Sequence, residues 1–206
     1  MSTSRAIRIA ATMAATGLLT ACSGGGGQSG TTTTSGAAAA SSTSTSAASG
    51  GAPSLPSQLK VDDVKANPCN TLSSAQIDHL GMVGPGKQSQ TNNGPTCTWQ
   101  GAVYQANSTG IGVSTNGTGL DNIYKLNAQP GYFAYFEPTT INGYPAVYAS
   151  RADQRSSGIC SLSIGLANDT TAVVTSSLVT GQNKTNPCPV AERTAQAMIE
   201  HLKGAA

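Results

Sequence analysis

Cys160-Ser161-Leu162-Ser163-Ile164-Gly165-Leu166 is the stretch that decides the fold, because an apolar side chain falls at every second position from Cys160 to Leu166. A period of two sends successive side chains to opposite faces and marks a strand with one face on a core. The same period runs through Tyr132 to Glu137, Tyr144 to Ser150 and Thr171 to Leu178. Further upstream, Thr96 to Tyr104 and Thr109 to Thr115 read as paired strands around Gln105 to Ser108. Leu120, Ile123, Tyr124 and Ala128 have helical spacing and predict a short inserted helix. Consecutive strands joined by short turns favour an antiparallel sheet.

Two stronger helices flank the strands. Ser73 with Gln76 reads as a capping box, Leu72 and Ile77 occupy the two staple positions, and Gly81 is placed to end a helix over 73–80. Before the second helix, Asn186-Pro187-Cys188 repeats the earlier tripeptide Asn67-Pro68-Cys69. Cys188, Ala191, Ala195, Met198 and Leu202 then share one face, and Gly204 marks the stop. The expected architecture is α+β: an antiparallel sheet of about six strands packed against N- and C-terminal helices and stapled by two disulfides. Asp62-Asp63 are expected to precede the fold.

The chain begins with a basic start, Arg5 and Arg8, an apolar run from about Ile9 to Leu19, and then Thr20-Ala21-Cys22. The apolar run is roughly half the ~20 residues a spanning helix needs, so residues 1–21 read as a signal peptide. Leu19-Thr20-Ala21-Cys22 resembles the lipobox of bacterial lipoproteins, which implies a diacylglycerol thioether at Cys22. Two acyl chains give a stable anchor where one gives a marginal hold. The expected location is therefore the extracytoplasmic face of the cell membrane.

Cysteine arithmetic agrees with that expectation. Of the five cysteines, lipidation of Cys22 leaves Cys69, Cys97, Cys160 and Cys188, which suit two disulfides in an oxidising compartment. No C-x-x-C or histidine pair accompanies them, so no metal and no cofactor are expected. The preferred pairing is Cys69 with Cys188 and Cys97 with Cys160. The local alternative, Cys69 with Cys97 and Cys160 with Cys188, competes with it, and spacing alone does not choose.

From Ser23 to Ser57 the chain is nearly all Ser, Thr, Gly and Ala, with no charge and no aromatic residue. Such a composition cannot build a core. Residues 22–57 are thus expected to be a lipidated cysteine and a tether, and 58–206 a single domain. Without Arg5 and Arg8 the mature chain carries nine basic and nine acidic residues. No basic stripe is available to neutralise phosphates, which argues against nucleic acid.

Catalytic ingredients are sparse. His79 and His201 are the only histidines, each beside an acid, Asp78 and Glu200. No G-x-S-x-G elbow is present, and Gly110-Ile111-Gly112 lies inside a strand pattern where a phosphate loop would open a helix. An enzyme is not expected. The densest chemical signal is Tyr132-Phe133-Ala134-Tyr135-Phe136, followed by Tyr144 and Tyr148. As a strand it would put Tyr132 and Phe136 on one face and Phe133 and Tyr135 on the other. Trp99, Tyr104, Tyr132, Tyr135 and Tyr144 are the candidate ligand-binding residues, since such side chains join apolar area to a hydrogen-bonding tip.

Asn67-Pro68-Cys69 with Leu72-Ser73 and Leu80-Gly81, then Cys97-Thr98-Trp99, Gly143-Tyr144-Pro145-Ala146, Cys160 and Pro187-Cys188, resemble in order and spacing the actinobacterial lipoproteins of the domain of unknown function 3558 family. The resemblance spans residues 67–203 and implies an exported, lipid-anchored envelope protein. It carries over no activity and no catalytic residues. The expected function is a tethered binding or sensory module for an envelope ligand. The alternative is a non-enzymatic assembly partner of a membrane or cell-wall complex.

Overall fold

Ile159–Ala167 and Thr170–Ser177 form the central hairpin of the sheet, and everything else is arranged around it. The computed structural model describes residues 51–114 and 117–204. Cys22, the expected signal peptide at 1–21 and the expected tether up to residue 50 lie outside the described residues. The helices are α1 (Asp62–Ala66), α2 (Ser74–His79), α3 (Asp121–Asn127) and α4 (Cys188–Gly204). The strands are β1 (Met82–Thr91), β2 (Gly94–Gly101), β3 (Ser108–Ser114), β4 (Tyr135–Ile141), β5 (Tyr144–Ser150), β6 (Ile159–Ala167) and β7 (Thr170–Ser177). They make one antiparallel sheet in the order β1-β2-β3-β7-β6-β5-β4.

The α+β expectation holds, with seven strands in place of about six. The additional strand is β1, whose sequence MVGPGKQSQT shows no alternation because it is an edge strand exposed over most of its length. An edge strand needs no apolar face, so the period-two signal is absent. The pairing register shifts between Val83 and Lys87, and this bulge bends β1 over its neighbour. Asp62 and Asp63 do not precede the fold: they open α1, whose Val64 is buried.

Alternation puts Ile111, Val113, Leu162, Ile164, Leu166, Ala172 and Val174 on one face, where they meet Ala191, Ala195, Met198, Ile199 and Leu202 of α4. The α2 capping box forms as the spacing predicts, with Gln76 N donating to Ser73 Oγ and Ser73 N donating to Gln76 Oε1. Gln76 also reaches across to α4, its Nε2 donating to Ala197 O at 2.7 Å. A smaller cluster on the opposite face packs Leu120, Ile123 and Tyr124 against Val147, Ala149 and Phe136. The Asn142-Gly143 hairpin between β4 and β5 has both residues at positive φ, 47° and 90°, the conformation an Asn-Gly turn favours.

The disulfides are Cys69–Cys97 and Cys160–Cys188, with Cα separations of 5.0 and 5.1 Å. This corrects the preferred pairing. Cys97 on β2 and Cys160 on β6 are separated by β3 and β7, about 14 Å at ~4.8 Å per strand step. A disulfide needs Cα atoms within about 7 Å. The helix-start pair fails for the same reason, because Cys69 sits under β2 and Cys188 beside β6.

Residues 51–57, read from composition as the end of the tether, lie against the domain. Ala52 N donates to Asp121 Oδ1 at 2.8 Å, Leu55 packs on the core, and Ser57 Oγ is 2.9 Å from the Tyr144 hydroxyl. Leu55 lies over Gly165, where a Cβ would come 3.1 Å from Leu55 Cδ2.

Candidate functional site

The five candidate aromatics do not converge. Tyr144 is 1% exposed and held by Ser57, while Tyr135 is buried beneath Arg155, whose guanidinium carbon sits 4.0 Å from the ring centroid. Burial raises the Tyr135 hydroxyl pKa. Tyr132 lies outside β4: its N donates to Gln129 O in a turn, and pairing begins with Ala134 N donating to Ser150 O. The predicted strand from Tyr132 to Glu137 is therefore Tyr135–Ile141, and the expected split of aromatic faces is lost. Phe133 instead sits with Phe136 on the α3 face, with Tyr132 edge-on to Phe133 and Tyr124 edge-on to Phe136. Tyr104 is half exposed in the β2–β3 loop.

Trp99 alone borders a substantial concavity. It points from β2 into the core beside Cys97, 1% exposed. The bulged segment of β1 passes over it at Gly86, so closely that a Cβ there would overlap Cys97 Sγ and lie 2.6 Å from Trp99 Nε1. Only glycine lets the two strands approach in this way. Beside this contact runs a groove of about 670 Å³. One wall is the Pro68–Thr71 turn with Asn70, the second is α2 with Ser74, Ile77 and Asp78, and the third is β1 with Pro85 and Gln88.

Two features of the groove bear on chemistry. Trp99 Nε1 is a buried donor with no hydrogen-bond partner among the described residues, a state that costs about 1–3 kcal/mol. The wall is rich in amides and hydroxyls with capacity to spare. Asn67 Nδ2 donates to Asn70 Oδ1 and Gln88 Nε2 donates to Ala66 O. These bonds leave the Asn70 amide nitrogen, Gln88 Oε1, the Ser74 hydroxyl and the Asp78 carboxylate facing solvent. Among the described residues lining the groove Asp78 is the one acidic side chain, and no lysine or arginine is there to clamp a phosphate or carboxylate.

A profile of the family described as proteins of unknown function, DUF3558, matches residues 17–201 of the chain. The chain belongs to the DUF3558 family. No curated protein and no solved structure matches it. In this DUF3558 domain the family-like segments Asn67-Pro68-Cys69 and Cys97-Thr98-Trp99 meet at the groove, joined by the Cys69–Cys97 bond. Gly86 is the groove-lining residue that sequence reading missed; Gly84-Pro85-Gly86 was its only signal and resembles an ordinary loop.

The histidines occupy separate helices, His79 exposed at the end of α2 and His201 half-buried on α4. Among the described residues no group of three or more His, Cys, Asp or Glu side chains could hold a metal ion, and no helix is long and apolar enough to cross a membrane. The strongest ionic cluster is Arg155 with Asp153 at 2.7 Å and Glu137 at 2.9 Å. Hydrogen bonds from Arg155 lower the Asp153 pKa and reciprocally raise that of Arg155. Tyr148 donates to Glu192 on α4, and its pKa is pushed up to about 12, first by burial and then by the Glu192 charge.

Proposed function

We propose that this DUF3558 protein is a lipid-anchored, extracytoplasmic binding module whose site is the groove beside Trp99, and that it takes a neutral, polyhydroxylated envelope ligand such as a saccharide. The groove itself carries the reading: about 670 Å³ beside Trp99, where the segments Asn67-Pro68-Cys69 and Cys97-Thr98-Trp99 meet. The rest of the lining supports the class. Amide and hydroxyl groups match ligand hydroxyls, Ile77 and Pro85 offer apolar backing, and the lack of cations disfavours an anion. Anchoring at Cys22 follows from the lipobox resemblance and the spare fifth cysteine.

Trp99 is the only tryptophan, so its emission reports on the groove directly. Titration of the intact protein with neutral cell-wall oligosaccharides should shift that emission saturably, and Asn70→Ala together with Gln88→Ala should weaken the response. No shift with any neutral saccharide, or an unchanged response in the double variant, would remove the groove as the binding site.

A further inference from the structure

Asn-Gly occurs three times in the chain, at Asn93-Gly94, Asn116-Gly117 and Asn142-Gly143. In this dipeptide an asparagine side chain is most open to attack by its own backbone, because glycine puts no side chain in front of the nitrogen that follows. Asn116 lies outside the described residues. The other two sit exposed at hairpin tips, Asn93 between β1 and β2 and Asn142 between β4 and β5. The fold holds them very differently.

Asn142 is tied to α4. Its Nδ2 donates to Gln196 O at 3.2 Å and to Glu200 Oε1 at 3.4 Å, and its carbonyl accepts from Lys203 Nζ at 2.9 Å. Asn93 is held through its backbone alone: Asn93 N donates to Thr91 Oγ1 at 3.2 Å, and Thr91 Oγ1 donates to Gly94 O at 2.8 Å. Its side-chain amide has no hydrogen-bond partner among the described residues. Gly94 is fixed by the fold, since its φ is 119° and a Cβ there would come 2.6 Å from Val113 O. The β1–β2 turn thus keeps a glycine directly behind an unrestrained asparagine.

We propose that Asn93 is a site of spontaneous covalent modification, converting to isoaspartate and aspartate in the folded protein while Asn142 is protected. The Gly94 nitrogen gives its proton to solvent hydroxide and attacks Asn93 Cγ. The new C–N bond closes a succinimide as the Cγ–Nδ2 bond breaks, and the amide nitrogen takes a proton from water and leaves as ammonia. Water then opens the ring. Opening at the backbone carbonyl gives isoaspartate, which lengthens the main chain by a methylene, and opening at the side-chain carbonyl gives aspartate. The longer chain matters to the sheet, because Thr91 pairs with Gly94 to close the hairpin and Gly94 is seated close against Val113 O. Isoaspartate at this position breaks the closing pair and frays β1 from Thr91 towards Gln88, a wall residue of the Trp99 groove.

The test incubates the mature chain in warm, mildly alkaline buffer, folded or in urea. Samples taken over time are digested, each conversion is localised by fragment-ion mass spectrometry, and isoaspartate is resolved from aspartate against synthetic peptides. In the folded protein Asn93 should convert about fivefold or more faster than Asn142, the least that giving up two hydrogen bonds to α4 implies. In urea that difference should vanish. Glu200→Ala combined with Lys203→Ala should speed Asn142 and leave Asn93 unchanged, with an unaltered thermal midpoint showing that the variant is folded. Amide exchange at Ser89 to Thr91 should quicken in the converted fraction and stay slow in Asn93→Gln. Asn142 converting as fast as Asn93 in the folded chain, a rate difference that persists in urea, or Asn93 intact once the urea sample has converted would each overturn the proposal.

Discussion

Gly86 lies against the indole of Trp99 with no room for a side chain, since a Cβ on Gly86 would come 2.6 Å from Trp99 Nε1. The contact seats the edge strand β1 on β2 and forms the closed end of the groove. It depends on the smallest residue.

Gly86→Ala should therefore destabilise the domain by about 1–3 kcal/mol, because the added methyl must push either β1 or the indole aside. Urea unfolding followed by Trp99 emission would measure it. Gly110→Ala is the control: its Cβ would meet Thr98 Oγ1 at an ordinary 3.5 Å, and a loss as large as that of Gly86→Ala would refute the steric explanation.

Non-reducing peptide mapping should recover Cys69 linked to Cys97 and Cys160 linked to Cys188, each closing a loop of 28 residues. Loop entropy assigns roughly 3.5 kcal/mol to each bond. The paired replacement Cys69→Ser with Cys97→Ser should lower stability by about that amount, and a peptide joining Cys69 to Cys188 would contradict the strand order.

Ser73→Ala removes the acceptor for Gln76 N and loosens the side chain that bridges α2 to Ala197. A loss of about 1 kcal/mol is expected in thermal or denaturant unfolding. Gln76→Ala should cost at least as much, because it removes both the reciprocal half of the cap and the bridge to α4.

Tyr148 introduces an alkaline sensitivity. Its hydroxyl pKa is raised to about 12 in the folded protein by burial and by Glu192, against an ordinary value of 10. The group stays protonated in the folded chain while the unfolded chain ionises, so its stabilising contribution is present below pH 10 and declines as pH rises from 10 towards 12. Thermal midpoints measured from pH 9 to 11 should fall less steeply in Tyr148→Phe than in the parent; superimposable curves would exclude the effect.

Cys22→Ser should release the protein from membranes without altering the domain's thermal midpoint. Fractionation of cells with an alkaline wash would decide it, and a variant that remains membrane-bound after the wash would rule out the lipid anchor.

Much of the local structure was legible because its causes are local. Ser73 and Gln76 cap a helix through atoms three residues apart, and the alternation from Cys160 to Leu166 exists only because one face of β6 is buried. The β1 strand was illegible because Met82 to Thr91 faces solvent and obeys no pattern. Tyr132 and Phe133 misled for the opposite reason: their aromatic run mimics a strand, yet the turn closed by Gln129 O keeps them outside the sheet. Of the candidate ligand residues, Trp99 reaches a groove, but nothing in its neighbours' sequence signals that Gly86 would cover it.

By itself the sequence determined the helix caps, six of the seven strands within a few residues, the presence of two disulfides' worth of domain cysteines, and the family. Tertiary structure decided which cysteines pair, where β1 lies, which aromatics are enclosed, and how Asn107 ties the β2–β3 loop to the loop after β7. The division follows from range. Periodicity and capping act over a few residues of chain, whereas strand order and the Gly86–Trp99 contact arise only when distant segments are packed together.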